Sequence, residues 1–296
     1  MHLQTIAAFT DFSASAERAL DRAAIVAAHH GANLRLQYVA HAPHHRFDDP
    51  HARLEQRARQ LARRHEIPVM AVRAGTGDLV RDALAASAHA DLLVLDRGVS
   101  PSYSLWPLRS GRALAPILRA SGCPVLVVQR EPLAAYQHML IAVDFSDSSA
   151  SLLRYAGALQ GDATIEIYHA VDTRDEAKLR SAEASARAVD AYRKQVREKA
   201  RRRMLPLAST FDARRNRVAA VIGAGDPARE LAVQHEAGGC DLIAVGYTRR
   251  PLLLDWLLGS TAGRLLGRVE CDVLIFPTRF ALPQARMAAR GGPLPA

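Results

Sequence analysis

Residues 139–146 (MLIAVDFS) repeat residues 5–13 (TIAAFTDFS), an apolar run that ends in Asp-Phe-Ser and is followed by a helical pattern. Three further landmarks recur in the same order. They are the Gly-x-Gly-Asp segments at 75–78 and 223–226, the apolar runs at 90–96 and 240–246, and the runs that follow Cys123 and Cys271. A repeat of this long period indicates a tandem duplication, and 296 residues are enough for two domains of roughly 150 residues each.

Each copy alternates short apolar runs with helical stretches, the pattern of an α/β fold in which helices cover both faces of a parallel sheet. We therefore predict two tandem doubly wound, Rossmann-like domains with five strands each. In the first copy we expect strands near residues 5–10, 34–40, 69–74, 92–96 and 125–129. The last apolar strands, 125–129 and 273–276, have open edges that need cover, so we expect them to pair and form an intramolecular pseudo-dimer.

The predicted domains span residues 1–133 and 134–279, and residues 280–296, rich in Pro and Gly, are expected to form a flexible tail. The first helix of copy one should bury an apolar face that runs from Ala16 to Ala28. The charged segment 174–203 contains few helix breakers, which predicts one long and largely exposed helix. No apolar run reaches the ~18 residues of a membrane span and the amino terminus lacks the layout of a signal peptide, so we expect a cytoplasmic protein without membrane contacts.

The net charge of +9 comes almost entirely from arginine. The arginine clusters at 201–203 and 214–217 have no interleaved aromatic residues, which favours a solvated face over nucleic-acid binding. Three cysteines without CxxC or Cys/His ligand spacing predict neither a disulfide framework nor redox chemistry. The histidines His41, His44, His45 and His51 are irregularly spaced in a predicted loop, which favours a solvated tract but leaves zinc binding open.

The Gly-x-Gly-Asp segments lack the third glycine of a dinucleotide fingerprint, and neither follows the first strand of its copy. A structural interpretation is therefore favoured. Asp78 and Asp226 are predicted helix N-caps, and Pro227 occupies a first helical position where a missing N–H costs nothing. The chain also lacks a Walker lysine loop, a Gly-x-Ser-x-Gly elbow and the glycine-rich loop of adenylating enzymes, so no enzymatic motif is found.

Ligands of open α/β sheets bind beyond the carboxyl ends of the strands, where Asp11 and Asp144 close the first strand of each copy. In the second copy, residues 246–262 (GYTRRPLLLDWLLGSTA) follow the fourth strand into the same region. Together with Asp144, this run resembles the nucleotide-binding pattern of the universal stress protein family, specifically its tandem, two-domain bacterial type. The resemblance covers residues 3–279 and implies a site for ATP, with Mg²⁺, in the second domain.

The resemblance assigns roles to individual residues of the second copy. The phosphates would be lined by Gly246, Gly259, Ser260 and Thr261, the last two opening a helix. Asp144 would lie beside the ribose or a phosphate-bound metal, and the backbone of Val171 would face the adenine. Arg249 replaces the second glycine of the pattern, and its side chain either fills the space of a phosphate or pairs with one through its forked donors.

The first copy departs further from the pattern. Asp96 stands at the position of the first glycine, and Gly111 is followed by Arg112 where the pattern has serine. A carboxylate beside a triphosphate is repelled by ~1 kcal/mol or more at contact distance. We therefore expect the nucleotide motif of the first copy to be degenerate and that of the second to be nearly intact.

The leading hypothesis is a cytoplasmic stress-response regulatory protein that binds ATP in its second domain and acts through contacts with protein partners that the sequence does not identify. It would hydrolyse ATP slowly at most, and its assembly would be a monomeric pseudo-dimer or a homodimer. The alternative is a nucleotide-free interaction scaffold whose clefts are vestigial or hold another ligand, which Arg249 and Asp96 favour. A third and remote hypothesis is nucleic-acid binding through residues 201–217.

Overall fold

The computed structural model describes residues 1–39, 49–99, 113–209, 217–248 and 261–280, and these form one ten-stranded sheet with helices on both faces. The strands are β1 Thr5–Thr10, β2 Asn33–Tyr38, β3 Val69–Val72, β4 Leu92–Asp96, β5 Val125–Val128, β6 His138–Ala142, β7 Thr164–Val171, β8 Val218–Ala224, β9 Leu242–Tyr247 and β10 Asp272–Pro277. The helices are α1 Ala14–His30, α2 Pro50–His65, α3 Leu79–Ser87, α4 Leu114–Ala120, α5 Ser149–Leu159, α6 Arg174–Ser181, α7 Ala186–Ala208, α8 Pro227–Gly238 and α9 Thr261–Leu266, with a 3₁₀ turn at Arg97–Val99.

The strand order is β3-β2-β1-β4-β5-β10-β9-β6-β7-β8, so each copy forms one half of the sheet. Strands β5 and β10 pair antiparallel, with Leu126 opposite Leu274, and the other pairings in the described chain are parallel. The predicted pseudo-dimer is thus confirmed, because each last strand covers the open edge of the other. Among the described residues, no helix combines the length and the apolar character needed to cross a bilayer.

Burial explains why these segments form strands and helices. Every residue of β5 and β10 is buried, as expected for strands covered on both faces. Helix α1 buries the small side chains of its apolar stripe against the sheet, whereas Ala28, expected at the end of that stripe, is exposed. Phe280 is buried and packs edge-on against Tyr155, so the predicted tail does not begin at residue 280; residues 281–296 lie outside the described chain.

The prediction of one helix over residues 174–203 is wrong, because the chain turns between α6 and α7. Glu183 takes a left-handed conformation (φ 54°), and the Ser185 side chain caps α7 by accepting a hydrogen bond from the backbone N–H of Ala188. Helix α7 buries a stripe against the second half of the sheet, whereas α6 buries no residue. Helix α6 instead contacts α7 through the ion pair of Glu176 with Arg193.

The structural interpretation of the Gly-x-Gly-Asp segments is confirmed. Asp226 accepts a hydrogen bond from the Arg229 N–H at the start of α8, and Asp78 caps α3 in the same way. Gly223 is required by close packing, since a Cβ there would lie 1.7 Å from the Tyr168 hydroxyl oxygen. In the first copy a Cβ on Gly75 would similarly meet the amide nitrogen of Gln37, at 2.2 Å.

A buried polar network joins the two copies around Asp272, whose exposure is 0%. The Arg22 guanidinium of α1 lies 3.1 Å from one oxygen of this carboxylate, and the Tyr136 hydroxyl donates to the same oxygen at 2.7 Å. The other oxygen accepts hydrogen bonds from the backbone N–H groups of Gln129 and Arg130. Burial and the adjacent carboxylate of Asp272 raise the pKa of Tyr136 well above its usual range, so its hydroxyl remains a donor.

His30, near the end of α1, makes stability depend on pH. Burial, followed by the neighbouring His29, lowers its pKa to about 4, and its Nδ1 accepts a hydrogen bond from the Leu3 N–H. The unfolded chain takes up this proton near the ordinary value of 6.5, so between that pH and about 4 the unfolded state binds more protons. We expect stability to fall as pH drops through this window, by at most about 3 kcal/mol for this group.

Urea unfolding of wild type and His30→Gln between about pH 7 and about pH 4 measures this contribution. The variant should lose markedly less stability on acidification than the wild type. The matched control is His51→Gln on the exposed face of α2, which should keep the wild-type slope. If the unfolding free energy of His30→Gln falls with pH as steeply as that of wild type, His30 does not cause the loss of stability.

Candidate functional site

A cavity of about 270 Å³ opens at the carboxyl ends of β6 and β9 in the second copy, where open α/β sheets place their ligands. It is lined by apolar residues of the sheet and α5 together with a few polar side chains, the composition typical of small-molecule sites. The lining residues are Ala142, Val143, Asp144, Ser148, Ser149, Leu152, Tyr168, His169, Ala170, Pro227, Leu231, Val245, Gly246, Tyr247, Thr248, Thr261 and Ala262.

The Asp144 carboxylate is held in place at the mouth of this cavity. Its Oδ1 accepts three hydrogen bonds, from the Ser146 N–H at 2.9 Å, the Ser146 hydroxyl at 2.6 Å and the Ser149 hydroxyl at 3.0 Å. Burial alone would raise the pKa of Asp144, but these hydrogen bonds outweigh it and lower the pKa below its usual value. Among the described residues none donates to Oδ2, so an ionised oxygen is available to a hydroxyl group or a cation.

The residue after Asp144 fixes the shape of the loop. Phe145 has a left-handed backbone (φ 60°), which is rare outside glycine. Its ring packs on His169 with centroids 4.1 Å apart, and the Arg203 guanidinium of α7 lies 4.7 Å above it while donating to the Phe145 carbonyl oxygen. The first copy repeats this arrangement: Phe12 (φ 63°) stacks on Tyr38 and lies under Arg53.

His169 lines the cavity and was not predicted from the sequence. Its Nδ1 lies 2.8 Å from the Val143 carbonyl oxygen, which accepts a hydrogen bond only if Nδ1 carries the proton. Burial is the main cause that lowers the pKa of His169, so the ring is neutral near pH 7 and Nε2 keeps a free lone pair. It lies near the carboxyl end of β7, which is the one sequence-level signal for it, and its contact with Phe145 depends on the fold.

The structure brings three of the predicted site residues to one cavity. Asp144, Gly246 and Thr261 all line it, and a Cβ added at Gly246 would meet no atom of the described residues within 4 Å. Val171 does not line the cavity; its carbonyl accepts a hydrogen bond from the Gly225 N–H, and Tyr168, His169 and Ala170 line this wall instead. The remaining predicted residues, Arg249, Gly259 and Ser260, lie outside the described chain.

The helix that begins at Thr261 is tied to α8 by ion pairs. The Arg264 guanidinium contacts the Asp226 carboxylate at 2.6 Å, and Arg268 lies 3.7 Å from its second oxygen. Asp226 therefore caps α8 and at the same time anchors α9. This arrangement fixes Thr261 and Pro227 on the same wall of the cavity.

Comparison with known proteins decides the family. The universal stress protein family matches residues 2–129 and 135–277, one match for each copy of the repeat. The chain belongs to the universal stress protein family. A universal stress protein from Archaeoglobus fulgidus DSM 4304 has the same fold, with a TM-score of 0.62, 17% identity and coverage of 92% of this chain and 96% of that one.

A second solved structure gives the same result for the fold. A protein from Pseudomonas aeruginosa UCBPP-PA14, provisionally named a universal stress protein, has a TM-score of 0.66 and 20% identity, and 93% of each chain is covered. Among curated proteins, a sequence comparison finds no significant relative. The predicted family and its tandem α/β architecture are confirmed.

The first universal stress protein domain has a different and more acidic cavity, of about 220 Å³. Both Asp11 and Asp96 line it, and the Asp96 carboxylate accepts a hydrogen bond from the Gly98 N–H at 2.9 Å. Asp96 on β4 pairs with Val128 on β5, and Gly246 on β9 pairs with Phe276 on β10 in the same register. Asp96 and Gly246 therefore occupy equivalent positions in the two domains. Gly111 and Arg112 lie outside the described residues.

Proposed function

We propose that this universal stress protein binds one adenine nucleotide, ATP with Mg²⁺, in the cavity of its second domain and acts as a regulatory binding protein. The proposal rests on one observation above the others: Asp144, Gly246 and Thr261, distant in sequence and assigned to nucleotide by resemblance, line a single cavity. That cavity lies at the sheet edge where α/β folds bind ligands.

Each described residue supplies a different kind of contact. The fixed, ionised Asp144 carboxylate offers Oδ2 to a ribose hydroxyl or to the magnesium ion, a cation that prefers oxygen ligands. Gly246 has no side chain and leaves open space among the described residues, so a phosphate can approach its backbone closely. His169 offers a neutral nitrogen acceptor, which suits an exocyclic amine or a hydroxyl donor.

The two domains are expected to differ in function. In the first domain the pair Asp11 and Asp96 places two carboxylates in the cavity, and these repel a polyphosphate. In the second domain the residue equivalent to Asp96 is Gly246, which has no side chain and therefore no carboxylate. We therefore propose that each chain binds one nucleotide. If the second cavity does not bind ATP either, the alternative of a nucleotide-free interaction scaffold is favoured.

Calorimetric titration of the full chain with ATP in the presence of Mg²⁺ tests the proposal. Saturable heat with one site per chain is the expected result, and inorganic phosphate at the same concentration serves as the control for simple anion binding. If a folded protein gives no heat of binding with ATP, the hypothesis of a nucleotide-free interaction scaffold is favoured instead. Slow hydrolysis is the most activity that we propose, since the sequence holds no hydrolytic motif.

Arg249 decides how closely the second domain follows the family pattern. We expect the Arg249→Gly variant to bind ATP about tenfold more tightly, because the family pattern has a glycine at this position, which implies that a phosphate passes there and that a large side chain hinders it. The same calorimetric titration measures the change, and Arg250→Gly, the neighbouring arginine, is the matched control for lost positive charge. A clear loss of ATP affinity in Arg249→Gly alone would make the guanidinium a phosphate ligand instead.

We propose that the protein acts in the cytoplasm through contacts with protein partners. Nucleic acid is not proposed as a partner. Of the arginines in question, Arg203 is engaged with Phe145, and Arg202 pairs with Glu198 at 3.0 Å. Glu198 offsets the charge of Arg202, and the contacts with Phe145 hold the Arg203 guanidinium against the loop that follows Asp144.

A further inference from the structure

A cluster of one histidine and two cysteines lies in the second domain, away from the proposed nucleotide site. His235 is on α8, Cys240 follows that helix just before β9, and Cys271 immediately precedes β10. The cluster is therefore at the amino ends of these strands, whereas the nucleotide cavity is at the carboxyl ends of β6 and β9. Ligand spacing along the sequence did not reveal the cluster, because the fold brings its members together.

The geometry of the cluster suits a metal ion. The His235 Nδ1 lies 3.3 Å from the Cys240 sulfur, and the ligand atoms of all three residues lie within 4.8 Å of one another. A tetrahedral zinc ion with Zn–S of about 2.3 Å and Zn–N of about 2.0 Å separates its ligand atoms by about 3.5 to 3.8 Å. Small side-chain movements are enough to reach that separation.

Burial and charge point to the same kind of ligand. Cys240 and Cys271 are buried, with exposures of 2% and 0%, while His235 is half-buried and connects the cluster to solvent. Two thiolates and a neutral imidazole around a dication give zero net charge, which lowers the cost of burying the ion. Thiolate and imidazole are the ligands that zinc prefers, whereas magnesium and calcium prefer oxygen.

The backbone around the cluster is held in place. Gly239 ends α8 in a left-handed conformation (φ 63°), and its N–H donates to the His235 carbonyl, which sets the turn that precedes Cys240. The Cys271 carbonyl accepts a hydrogen bond from the Gln129 side chain at 2.8 Å, and the next residue is Asp272 of the junction network. A metal ion here would connect α8 with the starts of β9 and β10, beside the junction between the domains.

The first domain provides an internal comparison, because its described residues contain no such set. Cys123 is the counterpart of Cys271, but Ala90 stands where the second domain has Cys240. The neighbour of Cys123 is the Ser121 hydroxyl, which donates to its carbonyl oxygen at 2.6 Å. Cys123 is thus a buried cysteine at the equivalent position, and no metal-binding group found in the described part of the chain includes it, so it makes a matched control.

We propose that His235, Cys240 and Cys271 bind one zinc ion per chain, with the fourth position left to water, and that the ion braces the second domain beside the junction. This site is independent of the proposed nucleotide site and needs no nucleotide.

Titration of the reduced, metal-free full chain with Zn²⁺, in competition with a chromophoric chelator, tests the proposal. Wild type should bind one ion, and Cys271→Ser and His235→Ala should each lose affinity by at least about a hundredfold. The Cys123→Ser variant should bind like wild type. Circular dichroism verifies that each variant is folded. If Cys271→Ser does not fold, His235→Ala still tests the proposal, because it changes only a half-buried side chain.

Three results would overturn the proposal. The reduced wild type takes up no Zn²⁺, or Cys271→Ser and His235→Ala bind it as well as wild type does. A third is a protein, purified without reductant, whose mass is lower by two hydrogens and whose peptide map joins Cys240 to Cys271, because a disulfide leaves no thiolate for zinc. A supporting observation is a melting temperature that Zn²⁺ raises in wild type and in Cys123→Ser but not in His235→Ala.

Discussion

The Gly246→Asp variant is expected to lose ATP affinity by about a hundredfold or more. The substitution places in the second domain the carboxylate that Asp96 supplies in the first, at the equivalent position of the sheet. Two unit charges about 4 Å apart interact by about 4 kcal/mol at an effective dielectric constant of 20, and each 1.4 kcal/mol is roughly a tenfold change in affinity. Calorimetric titration with ATP and Mg²⁺ measures the loss.

The variant should fold, because a Cβ at Gly246 meets no atom within 4 Å in the part of the chain that the structure describes. Gly246→Ala is the matched control: it adds one methyl group to open space without charge and should weaken binding far less than Gly246→Asp does. If both variants lose affinity equally, the loss comes from the volume of the added side chain and not from its charge. If neither loses affinity, ATP binds elsewhere and the proposed site is wrong.

The Asp272→Ala variant should be destabilised by about 3–5 kcal/mol, the largest effect on stability that we expect. Removing this carboxylate leaves the Arg22 guanidinium, only 5% exposed, buried without its ionic partner. It also leaves the Tyr136 hydroxyl and the Gln129 and Arg130 N–H groups without their acceptor. Because these groups belong to both copies and the linker, the loss should affect unfolding of the whole chain.

Denaturant unfolding followed by circular dichroism measures this change. The double variant Arg22→Leu with Asp272→Leu removes both charges together and should recover a large part of the stability, since paired charges are often replaced by apolar groups at little cost. A single Asp272→Ala variant within about 1 kcal/mol of wild type would show that the network is not a determinant of the junction. A double variant less stable than Asp272→Ala would show that the charge of Arg22 is not what makes the single substitution costly.

The sequence predicts the strands of this fold well because burial leaves a clear signature. Strands β1 and β4 agree with their predicted bounds, since both are apolar runs between polar turns. The junction could be anticipated from the apolar last strands, which need a partner along their open edges. The position of the α6–α7 turn could not, because Ala182, Glu183 and Ala184 are compatible with a continuous helix. The left-handed Glu183 and the Ser185 cap, which divide the two helices, are evident only in the structure.

The site shows a different limit. Asp144 and Gly246 could be identified because they lie at the carboxyl ends of strands and form part of a family pattern, but His169 depends on contacts with Phe145 and Val143 that the sequence does not state. The network of Asp272 joins residues as distant as Arg22, and the cluster of Cys240 and Cys271 joins segments from separate loops. Such sets arise from tertiary structure, and spacing along the chain gives no signal for them.

Native mass spectrometry of the full chain with ATP and Mg²⁺ tests the central claim most directly, because it counts the nucleotides bound to each molecule. We predict one ATP per wild-type chain, none on Gly246→Asp, and one on a variant of the first domain, Asp11→Ala. Two nucleotides per wild-type chain would show that the first domain also binds. One nucleotide retained on Gly246→Asp and lost on Asp11→Ala would contradict the account, since it would place the working site in the first domain.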